Sequence, residues 1–129
     1  FKKLEDATHK AEGYNPLCGD HLWIHMRIND QGIIEDASFK GSGCAISKAS
    51  ESMMTMALKG KTIDEAKVLS KEFHDVVTGH LKPDVDPNHL GKLTVFSGVW
   101  QYPSRVKCAS LSWHTMNGAI DQKKSISTE

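Results

Sequence analysis

Residues 21–29, His21-Leu22-Trp23-Ile24-His25-Met26-Arg27-Ile28-Asn29, alternate strictly between two kinds of side chain. Leu22, Ile24, Met26 and Ile28 fall on one side, and Trp23, His25, Arg27 and Asn29 on the other. A period of two with one apolar face is the mark of a half-buried β-strand. Asn29-Asp30-Gln31-Gly32 follows with turn residues, Gly32 being free to take a positive φ. Residues 33–40 then read as the return strand of a hairpin. Upstream, residues 8–14 suggest a short edge strand.

After Gly41-Ser42-Gly43 the period changes. Ile46, Ala49, Met53, Met56 and Ala57 recur at three and four, which predicts an amphipathic helix with those residues inward. Lys59-Gly60 ends it. Thr62-Ile63-Asp64-Glu65 has the form of a capping box opening a second, short helix. A third helix is expected from Ser70 to Thr78, closed by Gly79. Residues 80–91 hold two prolines and no periodicity, as a surface loop does. Leu93, Val95, Phe96, Val99 and Trp100 show only a weak helical signal. Pro103 suits the first turn of a last helix, with Val106, Ala109, Trp113, Met116 and Ile120 on one face. Strands first and helices after predict an α+β domain, a small three-stranded antiparallel sheet with helices on one face.

The chain has 129 residues, with 16 basic and 16 acidic side chains. That length fits a single domain over residues 1–129. The balance of charge gives no electrostatic footprint for nucleic acid. No apolar run is long enough to span a bilayer, and no secretory signal opens the chain. Phe1-Lys2-Lys3-Leu4, without an initiator Met, reads as the interior of a slightly longer protein. The 3 cysteines are an odd number for a disulfide framework, so reduced thiols in the cytoplasm are expected.

Cys18 sits in the turn sequence Asn15-Pro16-Leu17-Cys18-Gly19-Asp20, and Asp20, two positions on, can face the same ion. Cys44 follows Gly41-Ser42-Gly43 and begins a helix, whose N-terminus favours negative charge. Cys108 lies in the first turns of the last helix beside Arg105 and Lys107. The paired Cys-x-x-Cys spacing of many structural zinc sites is absent. Three thiolates and a carboxylate from separate elements still make a sound tetrahedral donor set for Zn²⁺. The plain alternative is that each cysteine is a small buried hydrophobe and Asp20 a turn residue.

Four blocks together resemble the iron–sulfur cluster assembly scaffold family, the NifU N-terminal-like domain. They are Asn15-Pro16-x-Cys18-Gly19-Asp20, Gly41-x-Gly43-Cys44-Ala45-Ile46-Ser47, Ala49-Ser50-x-Ser52-Met53-Met54 and Arg105-Val106-Lys107-Cys108-Ala109-x-Leu111-x-Trp113. Within the family the chain is similar to the SufU type rather than the IscU type. Lys107 stands where the IscU type has a His, residues 80–100 can hold the SufU-type insertion, and Tyr102-Pro103-Ser104-Arg105-Val106-Lys107 departs from the chaperone-binding Leu-Pro-Pro-Val-Lys. By this resemblance the family's N-terminal helix, which precedes the first block, is not expected within residues 1–129.

The resemblance implies the SufE/NifU-like fold and Zn²⁺ held by Cys18, Asp20, Cys44 and Cys108, with Arg105 and Lys107 supporting the site. It implies that Cys18 is the catalytic sulfur acceptor. The partner would be a pyridoxal-phosphate cysteine desulfurase of the SufS kind, followed by downstream cluster-assembly proteins. Cys18 would leave the metal as the desulfurase docks and carry persulfide sulfur onward, in the manner of thiol–disulfide exchange. A scaffold that builds a transient [2Fe–2S] cluster on the same ligands is the alternative. A purely structural metal site in a binding module is a third reading.

His21 and His25 lie on a strand and not around a shared ion. His74, His80, His89 and His114 are expected at helix surfaces, loops or boundaries. The Met53-Met54-x-Met56 run reads as core filler. Trp100 and Tyr102 are read as packing residues, with a partner surface as the second possibility.

Overall fold

The computed structural model describes residues 7–15, 19–86, 88–121 and 125–127, the last three by their backbone alone. β1 (His9–Asn15), β2 (Asp20–Ile28) and β3 (Ile34–Ser42) form an antiparallel meander. β4 (Ser125–Ser127) adds a short parallel strand on the far side of β1, giving the order β3-β2-β1-β4. β1 is therefore an inner strand and not the edge its sequence suggests.

The alternation in β2 appears as burial. Leu22, Ile24 and Met26 are inaccessible and Ile28 nearly so, while His21, Trp23, His25 and Arg27 are half-buried on the opposite face. Each such apolar side chain contributes about 1.5–3 kcal/mol on burial. The β2–β3 turn is closed by the Asn29 carboxamide, which accepts the N–H groups of Gln31 and Ile33, both at 3.0 Å. Gly32 takes φ 77° there.

α1 (Ala45–Leu58) does not bury the face its apolar spacing predicts. Met56 is 67% exposed and Ala49 lies at the surface, whereas Ser47, Ser50, Glu51, Met54, Thr55 and Leu58 face inward. The inward stripe is polar because its groups are hydrogen-bonded, Ser50 to Ala109, and Ser47 to Glu51 and Thr55 to Ser52 within the helix itself. Ile46, Met53 and Ala57 pack at its margin. α2 (Ile63–Val77) is one continuous helix where a short helix and a third were expected. The Thr62–Glu65 capping box opens it as predicted, and nothing in Lys67 to Ser70 breaks it. Residues 91–101 form two short 3₁₀ turns. α3 (Pro103–Ile120) is the last helix.

α3 crosses α1, β1 and β2 on the buried side of the sheet. It lies directly on β1, since a Cβ added to Gly13 would come 1.9 Å from the Thr115 hydroxyl oxygen. Phe73 of α2 stacks on Trp113 at 4.6 Å between ring centres. Ser50 ties α1 to α3: its hydroxyl donates to the Ala109 carbonyl at 2.6 Å and accepts the Trp113 indole N–H at 3.2 Å. The relative height of Cys44 and Cys108 is set by this join.

Candidate metal centre

The site forms where the start of β2, the end of β3, the start of α1 and Cys108 of α3 meet. The strand register pairs Asn15 with Asp20 and His21 with Ser42 at this end of the sheet. Asp20 is 1% exposed. One of its oxygens accepts the backbone N–H of Cys44 at 3.0 Å. The other is buried and has no hydrogen-bond partner among the described residues.

Cys44 is the N-cap of α1, and its sulfur accepts the Ser47 backbone N–H at 3.4 Å. The helix end thus directs a donor at the sulfur, which favours negative charge there. Gly43 has no room for a side chain: a Cβ would lie 2.7 Å from the Asp20 oxygen that holds Cys44. Cys108, in α3, is buried, while Cys44 is exposed.

The Asp20 oxygen, the Cys44 sulfur and the Cys108 sulfur all lie within 4.8 Å of one another. Three of the four predicted ligands are therefore brought together from three elements. Cys18 lies outside the described residues, in the link between β1 and β2. An open cleft of about 400 Å³ is lined by Glu12, Tyr14, Asn15, Gly19, Asp20 and His21. Arg105 is exposed, with its guanidinium carbon 4.5 Å from the centre of the Tyr102 ring. Lys107 is half-buried.

The donor set fits a borderline-soft cation such as Zn²⁺. A buried carboxylate oxygen with no partner is costly unless an ion or donor meets it, and two sulfurs lie close enough to share that ion. No histidine belongs to a metal-sized cluster among the described residues.

Sequence reasoning missed what lies next to these three residues. The Ser47 hydroxyl donates to Glu51 at 3.1 Å, and both residues are buried. Burial pushes the Glu51 carboxyl up to about 7, the Ser47 bond opposing and the Asp20 charge adding to the rise. The Ser47-x-x-x-Glu51 spacing, one helical turn, was the available signal.

Residues 2–109 match the family model for the NifU-like N terminal domain. The chain is 44% identical over 110 residues to the zinc-dependent sulfurtransferase SufU of Bacillus subtilis, covering 85% of this chain and 73% of that protein. It is 37% identical to the iron–sulfur cluster assembly scaffold protein IscU of Thermotoga maritima, over 92% of this chain and 80% of that one. The crystal structure of FiSufU from Fervidobacterium islandicum AW-1, described as a cluster assembly scaffold protein for the SUF system, superposes with a TM-score of 0.84. That pair is 38% identical and covers 92% of this chain and 85% of the other. Matching sequence and matching fold agree: the chain belongs to the NifU-like N-terminal domain family.

Proposed function

We propose that this chain is a zinc-holding sulfur carrier of iron–sulfur cluster assembly, acting as a single domain in the reducing cytoplasm. The observation that carries the reading is the cluster of an Asp20 oxygen with the sulfurs of Cys44 and Cys108, in a buried carboxylate that keeps one oxygen without a partner among the described residues. The likeness to a Bacillus subtilis protein named as a zinc-dependent sulfurtransferase supports it. Cys18, Asp20, Cys44 and Cys108 would hold the ion. Bound zinc would keep the thiols deprotonated and shielded from oxidation.

Cys18 is the residue assigned to accept sulfur. Its link is flanked by Pro16 and Gly19, whereas Cys44 and Cys108 are fixed to helices. The donor would be the cysteine persulfide of a pyridoxal-phosphate cysteine desulfurase. The Cys18 thiolate attacks the terminal sulfur of that persulfide. A new S–S bond forms on Cys18, the donor's S–S bond breaks, and the donor cysteine leaves as its thiolate with the electron pair. No external oxidant or reductant is needed. Arg105 and Lys107, at the start of α3, supply positive charge beside the exchange.

The test is to incubate the chain with a cysteine desulfurase and free cysteine, then weigh it intact. The native chain gains the mass of one sulfur and stimulates the desulfurase; Cys18→Ala does neither. Sulfur uptake by Cys18→Ala would refute the carrier role. The likeness to a Thermotoga maritima protein named as a scaffold favours the second reading, a transient [2Fe–2S] cluster on the same ligands. Anaerobic reconstitution and hand-over of a cluster, without persulfide on Cys18, would establish that reading instead. Unfolding on chelation, with no separate sulfur chemistry, would indicate a structural metal.

A further inference from the structure

On α2, Lys67, Ser70, Lys71 and His74 lie at spacings of three, four and seven and share one stripe. On α3 and its C-cap, Ser110, His114, Asn117 and Asp121 lie roughly half a helical turn around from Cys108. The two stripes meet in a cleft of about 510 Å³ lined by Lys67, Ser70, Lys71, His74, His114, Asn117 and Asp121. Ser70, His74 and His114 also line a notch of about 10 Å³ that reaches Phe73, Ser110 and Trp113. That is room for about one oxygen atom.

The polar groups here are incompletely matched. The Ser110 hydroxyl is buried, the residue being 6% exposed, and has no partner among the described residues. Asn117 donates its amide N–H to the Ser70 oxygen at 2.8 Å, which leaves the Ser70 proton available. Asp121, the single carboxylate of the lining, pairs with Lys67 at 3.5 Å. Lys71 has no ion-pair partner among the described residues. The rings of His74 and His114 stand 6.3 Å apart. Burial first, and then His74, holds the His114 imidazole below its usual pKa.

We propose that this cleft binds an oxyanion of the phosphate type, with Lys71 as its cation, the two imidazoles as N–H donors that take up a proton as the anion binds, and one oxygen reaching the Ser110 hydroxyl. An anion completes the hydrogen bonds of a buried hydroxyl and offsets the charge of Lys71. Two lysines facing one carboxylate disfavour a metal ion, the other ligand that imidazole pairs attract. The site is separate from the cysteine centre and independent of its chemistry.

The test is a proton NMR titration of the imidazole C2–H signals in chloride and in inorganic phosphate at equal ionic strength, with His74→Gln and His114→Gln for assignment. Phosphate raises the midpoints of His74 and His114 by about half a unit or more, and leaves His9, His21, His25, His80 and His89 in place. Lys71→Ala removes most of the shift without changing the melting temperature. Glycerol phosphate acting as well as the free ion would show that the cleft takes phosphate groups of larger molecules; action by the free ion alone would restrict it to inorganic oxyanions. No shift beyond the chloride control, or equal shifts at all 7 histidines, would overturn the proposal. So would zinc moving His74 and His114 where phosphate does not.

Discussion

The Asp20 carboxylate accepts the backbone N–H of Cys44 at 3.0 Å with one oxygen, keeps its second oxygen buried without a partner among the described residues, and brings an oxygen within 4.8 Å of the Cys44 and Cys108 sulfurs. A single side chain thus fixes the N-cap of α1 and offers a ligand. These two tasks can be separated by substitution.

Asp20→Asn retains a carbonyl oxygen for the Cys44 N–H but loses the negative charge. Its melting temperature without metal stays close to that of the native chain, while its zinc affinity falls by roughly 10-fold or more. Asp20→Ala loses both, with a further stability loss of about 1 kcal/mol for the missing cap bond. Competition with a chromophoric chelator and thermal melts read the two effects. Equal zinc affinity in the Asn variant would remove Asp20 from the ligand set.

Glu51 predicts how stability varies with pH in the metal-free chain. Its carboxyl is raised from 4.5 to about 7, so between those values the folded chain keeps a proton that the unfolded chain has released. Stability contributed by this group is full below about 4.5 and declines as pH rises toward 7, by up to roughly 3 kcal/mol. Glu51→Gln abolishes that decline. Denaturant melts at several pH values check it; parallel curves for the two proteins would contradict it.

Ser50 joins the helices that carry Cys44 and Cys108. Ser50→Ala leaves the buried Trp113 indole N–H without its acceptor, at a cost of about 1–3 kcal/mol. Metal affinity falls with it, because the bond to Ala109 sets the height of the neighbouring Cys108. A stability loss with unchanged affinity would show that the two sulfurs are positioned by other contacts.

Much of this was legible in the residues. Leu22 to Ile28 announced β2 because a sheet with one buried face imposes a period of two. Thr62 and Glu65 announced the start of α2 because the cap is local. The inward face of α1 was misread, because Ser50 and Glu51 are buried for their hydrogen bonds to other residues, which apolar periodicity cannot register. Local pattern divides α2 at Ser70, since nothing in the sequence marks the hydrogen bond that Ser70 accepts from Asn117 of α3. The parallel pairing of β4 with β1 joins segments more than a hundred residues apart, beyond any window of pattern. Of the ligand set, Asp20, Cys44 and Cys108 were named from their motifs, and the structure brings them together. The role of Gly43 went unseen because it depends on the carboxylate opposite, a contact across the chain.

X-ray absorption at the zinc edge of the purified, zinc-loaded chain tests the centre most directly. A shell of three sulfurs at about 2.3 Å and one oxygen at about 2.0 Å is predicted, the oxygen changing in Asp20→Ala and one sulfur lost in Cys108→Ser. A shell dominated by nitrogen, or one that neither substitution alters, would place the metal elsewhere and contradict the account.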